Sequence, residues 1–255
     1  MDMNATTVAR RRGTTRATGE RFFLIMAGLL LTITAVGFTP TFYLRFLFEA
    51  PPLTPIMVAH GVLSSLWILT FVSQVSLING SRVRLHRRVG PVAGIIAGAM
   101  LASGVLLLHS IIQSADDLTA ELARIGPLVW GNLAILAAFA TFVVLGLWFR
   151  RRPDTHKRLM LLATVSMMGQ PIVRIGQIEA IRISDVRVAN DAIYGLGGLV
   201  VLLAVIVAYD VWNRGRPHRA VAIGAPALLG AIVFTGLLIP GSELGRSFIL
   251  WWGGF

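Results

Sequence analysis

No cysteine occurs among the 255 residues. Disulfides, thiolate metal sites and cysteine nucleophiles are therefore excluded, and any metal would need imidazole, carboxylate or backbone oxygen ligands. Charge is scarce as well. Only 14% of the residues are Asp, Glu, Lys or Arg, against about 25% in an ordinary soluble domain. The few charges are clumped, which leaves long uncharged runs. With 55% hydrophobic residues, this is the composition of a multi-pass membrane protein, with nearly the whole chain in one bundle.

What charge there is leans one way, to a formal +11. The arginines sit in short turns between apolar runs, where the positive-inside rule accounts for them. No soluble basic face exists to carry nucleic acid. Residues 1–21 are polar and basic, with Arg10, Arg11, Arg12, Arg16 and Arg21, and read as a disordered cytoplasmic tail. The apolar run that follows is long for a signal peptide and lacks an A-x-A site, so it reads as an uncleaved first span.

Hydropathy predicts an all-α bundle of seven transmembrane helices at approximately 22–42, 56–78, 89–110, 127–149, 158–178, 192–212 and 220–240. Gln170, Pro171 and Arg174 interrupt the fifth. Residues 241–255 are too short to span, and Trp251, Trp252 and Phe255 suit an interfacial anchor on the periplasmic side. With the N-terminus inside, 17 of the 23 basic residues fall on the cytoplasmic side, giving +13 there against −2 outside. Every loop agrees, so the expected topology is N-terminus cytoplasmic and C-terminus periplasmic. Small residues at Gly94, Gly98 and Gly104, and at Gly195, Gly197 and Gly198, are expected to let helix backbones approach closely. A homo-oligomer is left open.

The inner turns share a plan, around Arg84-Leu85-His86-Arg87, His156-Lys157-Arg158 and Arg216-Pro217-His218-Arg219. This is either a faint internal repeat or the ordinary basicity of cytoplasmic turns. Three groups of residues could carry chemistry. On the second span, His60, Ser64, Trp67, Phe71 and Gln74 are spaced 4, 3, 4 and 3, which puts them on one helix face. Polar groups at membrane depth are expensive, so that face should look into the bundle. It is either a cofactor or proton-pathway face or an interhelical hydrogen-bonded seam. On the fifth span, Gln170, Arg174 and Gln177 recur at helical spacing, with Glu179 beyond. Arg174 lies 16 residues after Arg158, about 24 Å along a helix, near the outer boundary of the core. With His60, Ser64, Trp67, Gln74 and Asn132, these residues define an expected outer-leaflet polar pocket.

The third group is the inner trio His86, His156 and His218. Three imidazoles could make a metal site with an open position, as in a membrane hydrolase. Each His is followed by Arg or Lys, however, and that opposes a divalent cation. Arg87, Arg88, Arg151, Arg152, Lys157 and Arg158 instead read as a rim that binds anionic lipid headgroups. No Walker A, G-x-G-x-x-G or G-x-S-x-G pattern stands in a fitting context, and no nucleophile–base pair is close in sequence.

At His60…Gln74…His86-Arg87-Arg88-Val89-Gly90, and again at Asp154-Thr155-His156-Lys157-Arg158-Leu159-Met160, the chain resembles a group of bacterial multi-pass membrane proteins. These share an intramembrane His, a Gln near the helix end and an H-R-x-x-G opening to the next helix. The resemblance covers roughly residues 55 to 220. It implies a bacterial inner-membrane location and lends no activity. More loosely, the chain is similar to transmembrane b-type cytochromes. That likeness implies haem b held by His60 and His109 as an outer pair, and by His86 and His156 as an inner pair.

Overall fold

Each apolar run is bounded by residues that start or stop a helix, and the bounds follow them. Thr54 caps the second long helix by accepting from the Met57 amide at 3.4 Å, with Pro55 in the first turn. Asp117 caps the fourth through the Ala120 amide at 3.0 Å. Gly215, at φ 72°, ends the seventh in the left-handed region that glycine tolerates. A computed structural model describes residues 3–178, 181, 183 and 186–254; for 3–20 and 187–189 it describes the backbone alone.

Among the described residues the elements are α1 (Met3–Phe38), α2 (Pro55–Asn79), α3 (Val83–Gln113), α4 (Leu118–Trp148), α5 (Pro153–Ser166), α6 (Gly169–Gly176), α7 (Arg187–Arg214), α8 (Arg219–Val233) and α9 (Glu243–Gly253), with no strand. Short π-helical turns extend α1 and α8. Seven helical segments are long and apolar enough to cross a membrane. They match the seven expected spans, and the protein is an all-α, multi-pass membrane protein. The third and fourth spans begin earlier than expected, at Val83 and Leu118, and the helices continue through Pro91 and Pro127. α1 likewise begins inside the segment expected to be a disordered tail. Its Ala, Arg, Met and Glu residues are good helix formers.

The fifth span is broken in two. α5 ends in a tightened turn, with the Met167 and Met168 amides bonded three residues back to Thr164 and Val165. Pro171 supplies no amide for the carbonyl four residues before it, which explains a break at this point. The bend seats α6 between α1 and α7. A Cβ on Gly37 would stand 2.8 Å from the Pro171 carbonyl carbon, and one on Gly198 would stand 2.7 Å from Ile172. Gly104 is used similarly, against Leu136 and His60. Gly94, Gly98 and Gly197 are not, since no neighbouring atom lies within 4 Å of a Cβ built there. The small-residue spacing was present, but these three faces are turned away from the bundle.

The main core joins α1 through α8 around Met26, Leu30, Met100, Phe139, Leu161, Leu162 and Ile206. A second cluster of Ile112, Leu118, Ile125, Val129 and Ile249 joins α9 to α3 and α4. The C-terminal segment is thus a docked helix as well as a set of aromatic residues. Trp130 donates to the Gly245 carbonyl at 3.2 Å, Gln113 donates to Gly253 at 2.9 Å, and Trp252 packs on His109. Trp251 remains exposed; Phe255 lies outside the described residues.

Candidate functional site

The turns α2–α3, α4–α5 and α7–α8 gather at one end of the bundle, together with Arg21. His86 of the first turn and His156 of the second have ring centroids 6.2 Å apart. Asp210, near the end of α7, meets Arg158 of α5. This end separates into an exposed basic rim and a buried ionic knot.

Arg82, Arg84, Arg87, Arg88, Arg150, Arg151, Arg152, Arg214, Arg216 and Arg219 are all exposed, as is Arg21. Among the described residues none of these arginines has a carboxylate within ion-pair distance. Among the described residues the carboxylates at this end are Asp154 and Asp210, and both are engaged elsewhere. Asp154 pairs with Lys157 at 2.7 Å. Arg10, Arg11, Arg12 and Arg16 have no described side chains.

Arg158 does not belong to the rim. It is 3% exposed and Asp210 is 0% exposed. The Arg158 Nε donates to both Asp210 oxygens, at 2.9 and 3.0 Å, and its Nη2 donates to Oδ1. Asp210 Oδ2 also accepts from the His218 amide at 2.9 Å, and Arg158 Nη1 donates to the Asp154 carbonyl at 2.9 Å. Phe23 lies under the Arg158 guanidinium, and Phe22 stacks on Tyr209 at 3.6 Å. One carboxylate therefore ties α5, α7 and the start of α8, with α1 packed across the tie. An arginine spent in this way cannot grip a headgroup. Lys157, half-buried over Phe23, is only partly available.

The expected histidine trio does not converge. Among the described residues no three His, Cys, Asp or Glu side chains are placed to hold a metal. His218 is on the Asp210 side, where its Nδ1 accepts from the Ala220 amide at 3.1 Å and caps α8. Burial first, and then the cations of Arg158 and Arg214, push the His218 imidazole below its ordinary pKa.

The outer pair expected for haem does not meet either. His60 Nδ1 is 3.0 Å from Ser103 Oγ, and His60 Nε2 is 3.5 Å from Ser64 Oγ. His109 is further along α3 and packs against Trp252 of α9. Of the two haem pairs, only His86 and His156 are brought together.

The residues expected to line an outer polar pocket bond to one another across helices. His60 joins α2 to Ser103 of α3. Gln170 donates to Asn132 Oδ1 at 3.1 Å, joining α6 to α4. Arg174 donates to the Gln170 carbonyl and side chain, both at 3.3 Å, and stacks over Phe38 of α1. Gln177 donates to Asp191 at 3.1 Å, joining α6 to α7. Glu179 lies outside the described residues. Trp67 and Gln74 point elsewhere. Trp67 packs edge-on against Phe139, and its Nε1 is buried without a partner, as are both amide atoms of Gln74 and the Nδ1 of His86. A shallow open depression of about 440 Å³ lies at Ser81, Arg82, Val83, Arg84 and Leu85 in the α2–α3 turn.

Fold and site together define a seven-span helical membrane protein. It has a basic rim at one end, a buried ionic knot beneath that rim, and interhelical polar seams toward the other. Scans against protein-family models, curated proteins and solved structures return no match for this chain.

Proposed function

We propose that the protein is a bacterial inner-membrane protein whose arginine rim faces the cytoplasm and engages anionic lipid headgroups. The carrying observation is the set of exposed arginines gathered at one end, none of which has a carboxylate within ion-pair distance among the described residues. Guanidinium forks suit phosphate, which they bind through paired hydrogen bonds. A cytoplasmic leaflet rich in anionic lipid attracts such a cluster at about 1 kcal/mol per charge. The charge asymmetry supports the same orientation.

The test replaces Arg87, Arg88, Arg151 and Arg152 with Gln and compares the acidic lipid that co-purifies with the folded protein. These four side chains are exposed and outside the Arg158–Asp210 knot, so folding should survive. Loss of most of the co-purifying acidic lipid is expected. Unchanged lipid content would leave the arginines as topology determinants alone.

A further inference from the structure

The turn that joins α1 to α2 is unlike the basic turns at the other end of the bundle. It reads Tyr43-Leu44-Arg45-Phe46-Leu47-Phe48-Glu49. Leu44, Phe46, Leu47 and Phe48 are all exposed, Phe46 at 72% and Leu47 at 64%. Four large apolar side chains within five residues therefore face outward, where a turn in water would carry polar ones. The 3-10 turn Arg45–Leu47 brings this about, since three residues per turn send successive side chains in different directions.

The base of the turn is fixed to α2. Phe42 fills the space left by Gly61, and the Tyr43 and Ser65 hydroxyls share a hydrogen bond of 2.8 Å. Its backbone pairs within itself. The amides of Leu44, Leu47, Phe48 and Ala50 donate to carbonyls of residues 39–45, at 2.8–3.2 Å. Arg45 folds back, and its Nη2 donates to the carbonyls of Ala50 at 2.9 Å and Pro51 at 2.6 Å. Pro51 and Pro52 have no amide to satisfy. Apolar side chains outside and paired backbone within are what lipid demands of a segment; water demands neither.

The depth agrees. The first span, Arg21–Tyr43, has 23 residues, about 35 Å of helix against a hydrocarbon core of about 30 Å. The turn thus begins where the core gives way to headgroups, the level that aromatic rings favour. The spans on either side expose Val36 and Val58, so apolar surface continues from the helices onto the turn.

We infer that the Leu44–Phe48 turn is a lipid-inserted anchor, seated in the bilayer interface at the end of the bundle opposite the arginine rim.

The experiment places one thiol in this cysteine-free chain. Phe46→Cys and Phe48→Cys, each carrying a nitroxide label, are reconstituted as full-length protein in vesicles of phosphatidylethanolamine and phosphatidylglycerol. Power-saturation EPR compares collisions with oxygen, which concentrates in lipid, and with a water-soluble nickel complex. Both side chains are exposed, so folding should survive; Leu47→Cys replaces either variant that does not fold. Oxygen accessibility several-fold above that of the nickel complex is expected at each position. Greater access for the nickel complex would place the turn in water and overturn the anchor. Low access for both reagents would mean that protein covers the turn, and would overturn it equally, with dipolar broadening identifying that protein as a second copy.

Discussion

Asp210 ties α5, α7 and the start of α8 through one carboxylate. It is wholly buried and accepts from Arg158 and from the His218 amide. Removing one member of a buried ion pair strands the other charge, at about 3–5 kcal/mol. Asp210→Ala should therefore lower stability by that order in a denaturation series in detergent. Arg158→Lys should be destabilising too, since an ammonium cannot reproduce the fork; a melting temperature equal to wild type would contradict this. His60 makes a milder case. His60→Gln keeps a donor and an acceptor for Ser103 and Ser64 and should cost under about 1 kcal/mol, whereas His60→Leu strands those partners at about 1–3 kcal/mol. Equal melting of the two variants would argue against the seam. His218 sets a pH dependence. Its folded-state pKa lies below the ordinary value, so the folded protein takes up the proton less readily than the unfolded chain. The associated stability is complete above the unfolded pKa and declines as pH falls through it toward the folded pKa. His218→Asn, which retains a capping oxygen, should flatten that acid-side decline in melting curves from pH 7 to pH 5.

Among the elements, the broken fifth span has little room for added bulk where it crosses α1. α6 reaches α1 because Gly37 has no side chain where Pro171 passes. Gly37→Ala places a methyl against backbone that has little freedom to move, at about 1–3 kcal/mol. Gly98→Ala meets nothing and should be neutral or slightly stabilising through helix propensity. Paired melting curves check both. The contrast also shows what a sequence can and cannot reveal. The seven spans were legible because length and apolarity alone determine them. Gly94, Gly98 and Gly37 look alike on paper, and only the packed helices decide which glycine faces a neighbour. The Arg158–Asp210 pair spans 52 residues, so no local spacing announces it. One signal was available, namely an aspartate inside an apolar run, which demands a partner within the bundle. The polar residues of the second span divided for a similar reason. His60 found Ser103 within reach, while Trp67 and Gln74 did not find partners.

For the whole molecule, the account rests on orientation. Exposed arginines crowd one end of a seven-span bundle, α9 docks at the other, and on the proposed orientation the arginine end is cytoplasmic. The rim and the proposed lipid contact both face that side. The chain has no cysteine, so a single introduced thiol reports its side cleanly. Ser81→Cys, in the exposed α2–α3 turn, and Ser247→Cys, exposed on α9, would each be treated in intact bacteria with a membrane-impermeant maleimide. The predicted result is labelling at position 247, with position 81 protected until the cells are opened. Labelling of position 81 in intact cells, or protection of both positions, would contradict the orientation and everything placed on it.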